Sequence, residues 1–241
     1  MSKIYDALKR AEREREVARD RDVETNGHRI AHQPAASDTE DDDYRRLRAS
    51  LLFTPSYSEV HTIVVTATRH GEGTTRVAVG LARALASEGD TRVLLVEANM
   101  RSPSLARTLP LAEGPGLSDY LAGEASPDSL VKRLGDVNLS VVTAGDRPGV
   151  VDCEAIITAI AELTPSFDFV IIDAPPVNRY ADVSLLGPKV DGVILVVQAD
   201  ETPVVEAENA KRTLDRVGAR IFGVVLNRQK SYVPATLQAL L

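Results

Sequence analysis

The sequence predicts an α/β domain with a mostly parallel β-sheet flanked by helices. Two observations carry this. Six apolar runs, HTIVVTA, RVLLVEA, LSVVTAG, FDFVIIDAP, DGVILVVQA and RIFGVVLN, are near-continuous in Val, Ile and Leu, as in strands buried on both faces. Helical stretches lie between most of them. Val77, Ala78, Leu81, Ala82 and Leu85 make one apolar face, and residues 152–163 and 204–217 behave similarly. Such alternation implies right-handed βαβ units and a parallel sheet. Ligands on such sheets sit at the carboxyl ends of the strands.

The first run ends at a turn, Gly71-Glu72-Gly73-Thr74-Thr75, that opens the first helix. Glycines there let backbone N–H groups turn inward, and the helix N-terminus adds positive potential, which together suit a phosphate. Two other readings of the turn stay open. One is a plain strand–turn–helix with no ligand. The other is a dinucleotide fingerprint, for which Arg76 stands where Gly or Ala is wanted, although Glu97 ends the second run where a ribose-binding acid would sit.

The totals narrow the function. The chain has 241 residues, 44% of them hydrophobic, enough for one sizeable core. A net charge of −7 argues against nucleic acid or an anionic membrane as a direct partner. The single cysteine, Cys153, forbids an internal disulfide and fits a reducing, cytoplasmic setting. The four histidines are scattered, so no structural zinc site is expected. No apolar run approaches the about 18 residues of a membrane span, and MSKIYDALKRAERER lacks the apolar stretch of a signal peptide.

Three segments follow along the chain. Residues 1–21 read as a helix with a narrow apolar stripe from Ile4, Leu8, Ala11 and Ala18. From Lys3 to Asp22 its seven basic and six acidic residues nearly balance, unlike a nucleic-acid-binding arm. A short lone helix is marginal in water, so a docking role is expected. Residues 22–43, ending in SDTEDDD, read as an acidic disordered linker. Residues 44–241 form the folded domain.

The loop, followed by VLLVEANMRSPSL and FVIIDAPPV, resembles the bacterial tyrosine kinases of capsule and exopolysaccharide systems. These are P-loop proteins related to the MinD/ParA ATPases. GLSDYLAGEAS is similar to a stretch between those motifs, and MSKIYDALKRAE to the start of many members. DDYRRLRASLLF resembles the family's oligomerisation segment, which implies roles for Asp42, Arg45 and Arg48 at an interface of a homo- or hetero-oligomer. The resemblance implies ATP or ADP with Mg²⁺ as ligand. Gly71, Glu72, Gly73, Thr74, Thr75, Arg76 and Asn227 would contact the nucleotide, with Asn227 on the adenine side. Thr75 and Asp173 would hold the metal, and Glu97 and Asp173 occupy catalytic positions. Asp182 matches an acidic position and would cap the following helix.

The departures weigh on activity. Thr74 stands where the family has Lys, His70 where it has Pro, and Arg76 where it has Thr. Glu97 and Asn99 replace two Asp, while Arg101, Asp173, Pro175 and Pro176 are kept. Phosphoryl transfer needs charge neutralised on the β/γ oxygens, and Thr74 offers one neutral hydrogen bond. Losing such a stabiliser costs about 2.7–4 kcal/mol, or roughly 10²–10³ in rate. Asn99 is no carboxylate base, and Tyr232 is the one tyrosine of the tail, where the family has a cluster. The expectation is a degenerate, regulatory or scaffolding member. Its partner would be an inner-membrane polysaccharide copolymerase (a chain-length regulator) or an active kinase of the same system. It would reach the inner face of the cytoplasmic membrane only through that partner. Two rivals remain: an active autokinase in which Arg69 or Arg76 replaces the lysine, and a MinD/ParA-like positioning ATPase.

Overall fold

The computed structural model describes residues 36–52, 60–135, 138–147 and 152–229. The expected docking helix 1–21, most of the expected linker, and Tyr232 lie outside them.

The strands are β1 (Thr62–Ala67), β2 (Val93–Glu97), β3 (Lys132–Arg133), β4 (Leu139–Val142), β5 (Phe169–Asp173), β6 (Gly192–Gln198) and β7 (Ile221–Asn227). They form one sheet in the order β3-β4-β2-β5-β1-β6-β7. All six apolar runs are strands, and their mutual pairings are parallel. The short β3 pairs antiparallel with β4 at the edge. Sequence reasoning misses β3 because two residues, Lys-Arg, carry no periodicity.

The longer helices are α1 (Ala36–Leu52), α2 (Thr74–Ala86), α5 (Cys153–Leu163) and α7 (Val204–Arg216). Short helices α3 (Leu105–Thr108), α4 (Leu117–Leu121) and α6 (Asp182–Leu186) sit in the connections. Alternate residues of each strand feed two separate cores. Ile63, Val65, Leu95, Ile171 and Val196 pack with Val77, Leu81 and Leu85 of α2. Val64, Leu94, Ile172 and Leu195 pack with Ile156 and Ile160 of α5 and Ala207 and Leu214 of α7. This two-sided cover is why the strands read as continuous apolar runs.

Helix α1 corrects one boundary. It begins at Ala36, so residues 36–43, assigned above to the acidic linker, are its first two turns. Acidic residues at a helix N-terminus are favoured by the dipole, which composition alone hides. Leu51 is buried, and Leu47 packs with it against the α2 face of the sheet. Tyr44 lies against Gly80 of α2, where a Cβ would fall 2.3 Å from its ring. Arg48 reaches across to α2, donating to the Ala84 carbonyl at 3.2 Å and pairing with Glu88 at 2.5 Å.

Candidate phosphate-binding site

The strand order places β1 between β5 and β6, while the chain after α2 crosses past β5 to β2. The crevice at that switch point opens above β1, where the Gly71–Thr75 turn lies. Gly71 and Gly73 have φ of 88° and 90°, left-handed values that side chains rarely adopt. Gly73 is also the residue that starts α2, with Val77 N–H donating to its carbonyl at 3.1 Å. The Thr74–Ala86 helix therefore aims its N-terminus into the turn, which suits an anion.

Glu72 braces the turn from within. Its carboxylate is 1% exposed and accepts from Thr68 N–H at 2.8 Å, Arg69 N–H at 3.0 Å and the Thr68 and Thr202 hydroxyls. Asn227 Nδ2 donates to the Glu72 carbonyl at 2.7 Å. A Cβ on Gly73 would fall 2.1 Å from that same nitrogen. Asn227, expected on the adenine side, thus pins the loop. Neither Thr68 nor Thr202 stands out in the sequence, since a threonine after a strand is ordinary turn chemistry.

The two residues expected to hold a metal, Thr75 and Asp173, lie together. Asp173 and Glu97 end neighbouring strands in direct register. Asp173 is fully buried and its Oδ2 accepts from the Thr75 hydroxyl at 2.7 Å. Ser104 Oγ donates to that hydroxyl at 3.3 Å. Burial pushes the Asp173 carboxyl up to about 7, the Thr75 hydrogen bond opposes this, and the nearby Glu97 charge adds to it. Asp173 Oδ1 and Asn99 Oδ1 are buried and have no hydrogen-bond partner among the described residues. An unpaired carboxylate oxygen beside a threonine hydroxyl at a helix N-terminus fits a magnesium ion and its waters. With nucleotide bound, that ion would neutralise phosphate charge, with Thr75 and Asp173 holding it and the turn's N–H groups holding the phosphates.

Glu97 is placed for a different task. Its oxygens accept from the Ser104 N–H, from Leu105 N–H at 2.8 Å and from Ala144 N–H at 3.0 Å. It closes the N-terminus of α3 and ties the end of β4 to the end of β2. In this structure the carboxylate is occupied by backbone donors on both oxygens.

The arginines go elsewhere. Arg69 donates to the Glu201 carbonyl at 2.9 Å and pairs with Glu206 at 3.3 Å and Glu72 at 3.6 Å. This draws it to the β6–α7 loop and away from the lysine position. Arg76 is exposed and lines a groove toward α1. Arg101 forks onto Asp182 at 3.3 Å and lies 4.6 Å from the centre of the Tyr180 ring. Asp182 also accepts from the Cys153 thiol at 3.4 Å, and burial with that carboxylate pushes the thiol up to about 11. The expectation that Asp182 caps α6 is corrected. Ala181 is the capping residue, there is no side-chain cap, and Asp182 is turned to Arg101 instead. Of the expected interface residues, Arg45 pairs with Asp42 on its own helix at 3.1 Å, and Arg48 is held by α2.

Comparison with known proteins agrees with this geometry. The ParA family model, described as NUBPL iron-transfer P-loop NTPase, matches residues 59–239. The chain belongs to the ParA family of P-loop NTPases. Within this ParA group its relatives are bacterial tyrosine-protein kinases. YwqD of Bacillus subtilis is 28% identical over 78% of this chain and 81% of its own length. CpsD of Streptococcus agalactiae is 27% identical over 77% of this chain and 82% of its own length. The crystal structure of the chimerical protein CapA2B2 superposes with a TM-score of 0.73 at 29% identity, covering 83% of this chain and 88% of that one. Among the described residues no helix is long and apolar enough to cross a membrane.

Proposed function

We propose that this chain is a degenerate tyrosine-kinase-like protein. It acts as a regulatory or scaffolding partner in exopolysaccharide or capsule biosynthesis and export, with absent or weak phosphotransfer. One observation carries the reading. Thr74 fills the lysine position, and Arg69, the cation on the turn itself, is held by Glu201, Glu206 and Glu72. The backbone cradle and the metal side remain, so ADP or ATP with Mg²⁺ still has a place to sit. The charge that would stabilise a transferring phosphoryl group does not come from either of these two residues.

On this reading the protein is cytoplasmic and is recruited to the inner face of the membrane by its partner. That partner is an inner-membrane chain-length regulator or an active kinase of the same system. Residues 1–21 are assigned to docking on it, with Asp42 and Arg45 left exposed for an oligomer contact. Deleting residues 1–21 should leave a folded core that no longer retains the partner in a pull-down.

The test is calorimetric titration of Mg-ATP and Mg-ADP into the native chain and into Thr74→Lys, followed by anti-phosphotyrosine blotting after incubation with Mg-ATP. Weak binding and no phosphotyrosine in the native chain, with binding strengthened in Thr74→Lys, support the reading. Tight binding and phosphotyrosine that disappears in Asp173→Asn would establish the active autokinase instead. The preserved Thr75–Asp173 contact is the observation that keeps this second reading in play.

A further inference from the structure

The two edges of the sheet are built differently. At one edge β3 is two residues long and charged, Lys132–Arg133, which discourages a further strand. At the other, β7 is seven residues long and carries no charge from Ile221 to Asn227. Among the described residues its one strand neighbour is β6. Asn227 turns its carbonyl toward β6, where it accepts from Ala199 N–H at 2.9 Å. By the alternation of a strand, Phe222, Val224 and Leu226 turn their N–H and C=O groups outward. The side chains are unfinished as well. Val224 and Leu226 pack toward the core of α5 and α7, and Phe222 and Val225 toward that of α2. Yet every residue of β7 stays half-buried, where β2 is wholly buried. At the exit Arg228 has a left-handed φ of 58°, with its N–H on Asn227 Oδ1 and its guanidinium on Gln198 Oε1, both at 3.0 Å. The chain therefore leaves the line of β7 at that residue.

We propose that residues 231–236, SYVPAT, return along the open edge of β7 as an antiparallel eighth strand. This segment follows β7 directly, carries no charge, and holds the strand formers Tyr, Val and Thr. Pro234 sets the register. It has no N–H, so it faces away from β7, and Ser231, Val233 and Ala235 face Leu226, Val224 and Phe222. The turn then spans residues 227–230, a length that hairpins use. Pro234 also closes the new edge to further pairing. A second copy is the weaker occupant. Laid antiparallel in full register, it would set Arg220 of each copy opposite Arg228 of the other, like charge on like. A tethered segment has besides an effective concentration on the order of millimolar. Docked in this way, Tyr232 is tied to the rim of the sheet. The inference goes beyond the proposed function and does not depend on it.

The test is amide hydrogen exchange, read residue by residue by NMR on the full chain without nucleotide. The Val224 and Leu226 amides should exchange slowly although they face away from β6. Val233→Pro and Ala235→Pro each remove a donor to β7 and should speed both amides about tenfold or more, with β6 amides and melting curves unchanged. Thr236→Pro, at an outward position like Pro234, should leave them slow. Fast exchange in the native chain, indifference to Val233→Pro and Ala235→Pro, or an equal effect of Thr236→Pro overturns the proposal. Protection that fades when the protein is diluted also overturns it, since a second copy would then be the occupant.

Discussion

Thr75 Oγ donates a 2.7 Å hydrogen bond to Asp173 Oδ2, while Asp173 Oδ1 is buried with no partner among the described residues. One oxygen of the same carboxylate is anchored and the other is left for a ligand. The price is a carboxyl pushed up to about 7 by burial, against about 4 for an exposed aspartate.

The sign of the pH effect follows. Between about pH 4 and 7 the folded chain holds a proton at Asp173 that the unfolded chain has released. Stability from this group is therefore fully present below about pH 4 and is lost as pH rises through about 7. Asp173→Asn should remove that loss and melt higher than the native chain at pH 8, by on the order of a few kcal/mol in unfolding free energy. Melting curves from pH 5 to 8.5 for both proteins test it; parallel curves would refute it.

Gly73→Ala meets two obstacles, a φ of 90° and the Asn227 amide 2.1 Å from the new Cβ. A loss of about 1–3 kcal/mol is expected from the backbone alone. On an Asn227→Ala background, which already lacks the amide and its hydrogen bond to the Glu72 carbonyl, only the φ penalty remains, so urea denaturation should show a smaller loss from Gly73→Ala than in the native chain. No loss on that background would show that the backbone is not strained.

Glu97→Asp introduces the residue that the kinase resemblance implies at this position, yet it should destabilise the chain. The shorter side chain cannot keep the Leu105 and Ala144 amides, which are 2.8 and 3.0 Å from the present carboxylate on opposite sides. Each buried donor left unpaired costs about 1–3 kcal/mol. Chemical denaturation gives the loss, and a simultaneous anti-phosphotyrosine blot should stay negative. A gain of activity with unchanged stability would sink this account of Glu97.

Gly80→Ala should loosen α1 without unfolding the sheet, because the atoms nearest the added methyl are those of the Tyr44 ring on α1. Faster amide exchange confined to α1 and the first turns of α2 is the expected signature. Arg48→Ala should act in the same direction by releasing Glu88 and the Ala84 carbonyl. Arg45→Ala breaks an exposed pair on one helix and should cost at most about 0.5 kcal/mol.

The sheet was legible because burial on both faces writes itself into Val/Ile/Leu runs, as in VILVV of β6. The Gly71–Thr75 turn was legible because glycine readily takes the left-handed angles found at 71 and 73. The role of each charged group at the site was not, because it depends on where long side chains end. Glu97 looked like a substituted catalytic acid and is a brace for α3. Arg69 looked like a stand-in for lysine and is drawn to Glu206 across 137 positions of sequence. Asp182 looked like a cap and faces Arg101 from another loop. The start of α1 was hidden because an acidic run reads as solvated chain until an apolar surface, here Gly80 and its neighbours, receives Leu47, Leu51 and Tyr44.

The single thiol gives the molecule a built-in reporter. Cys153 is the only cysteine in the chain, is buried at the start of α5, and is held by Asp182 with its thiol raised to about 11. Burial and the Asp182 contact raise the thiol, which slows alkylation in the folded chain, and an opening that separates α5 from α6 would speed it. The rate at which a maleimide consumes one equivalent would therefore report on that opening, with no engineered label and no second site to confuse the count.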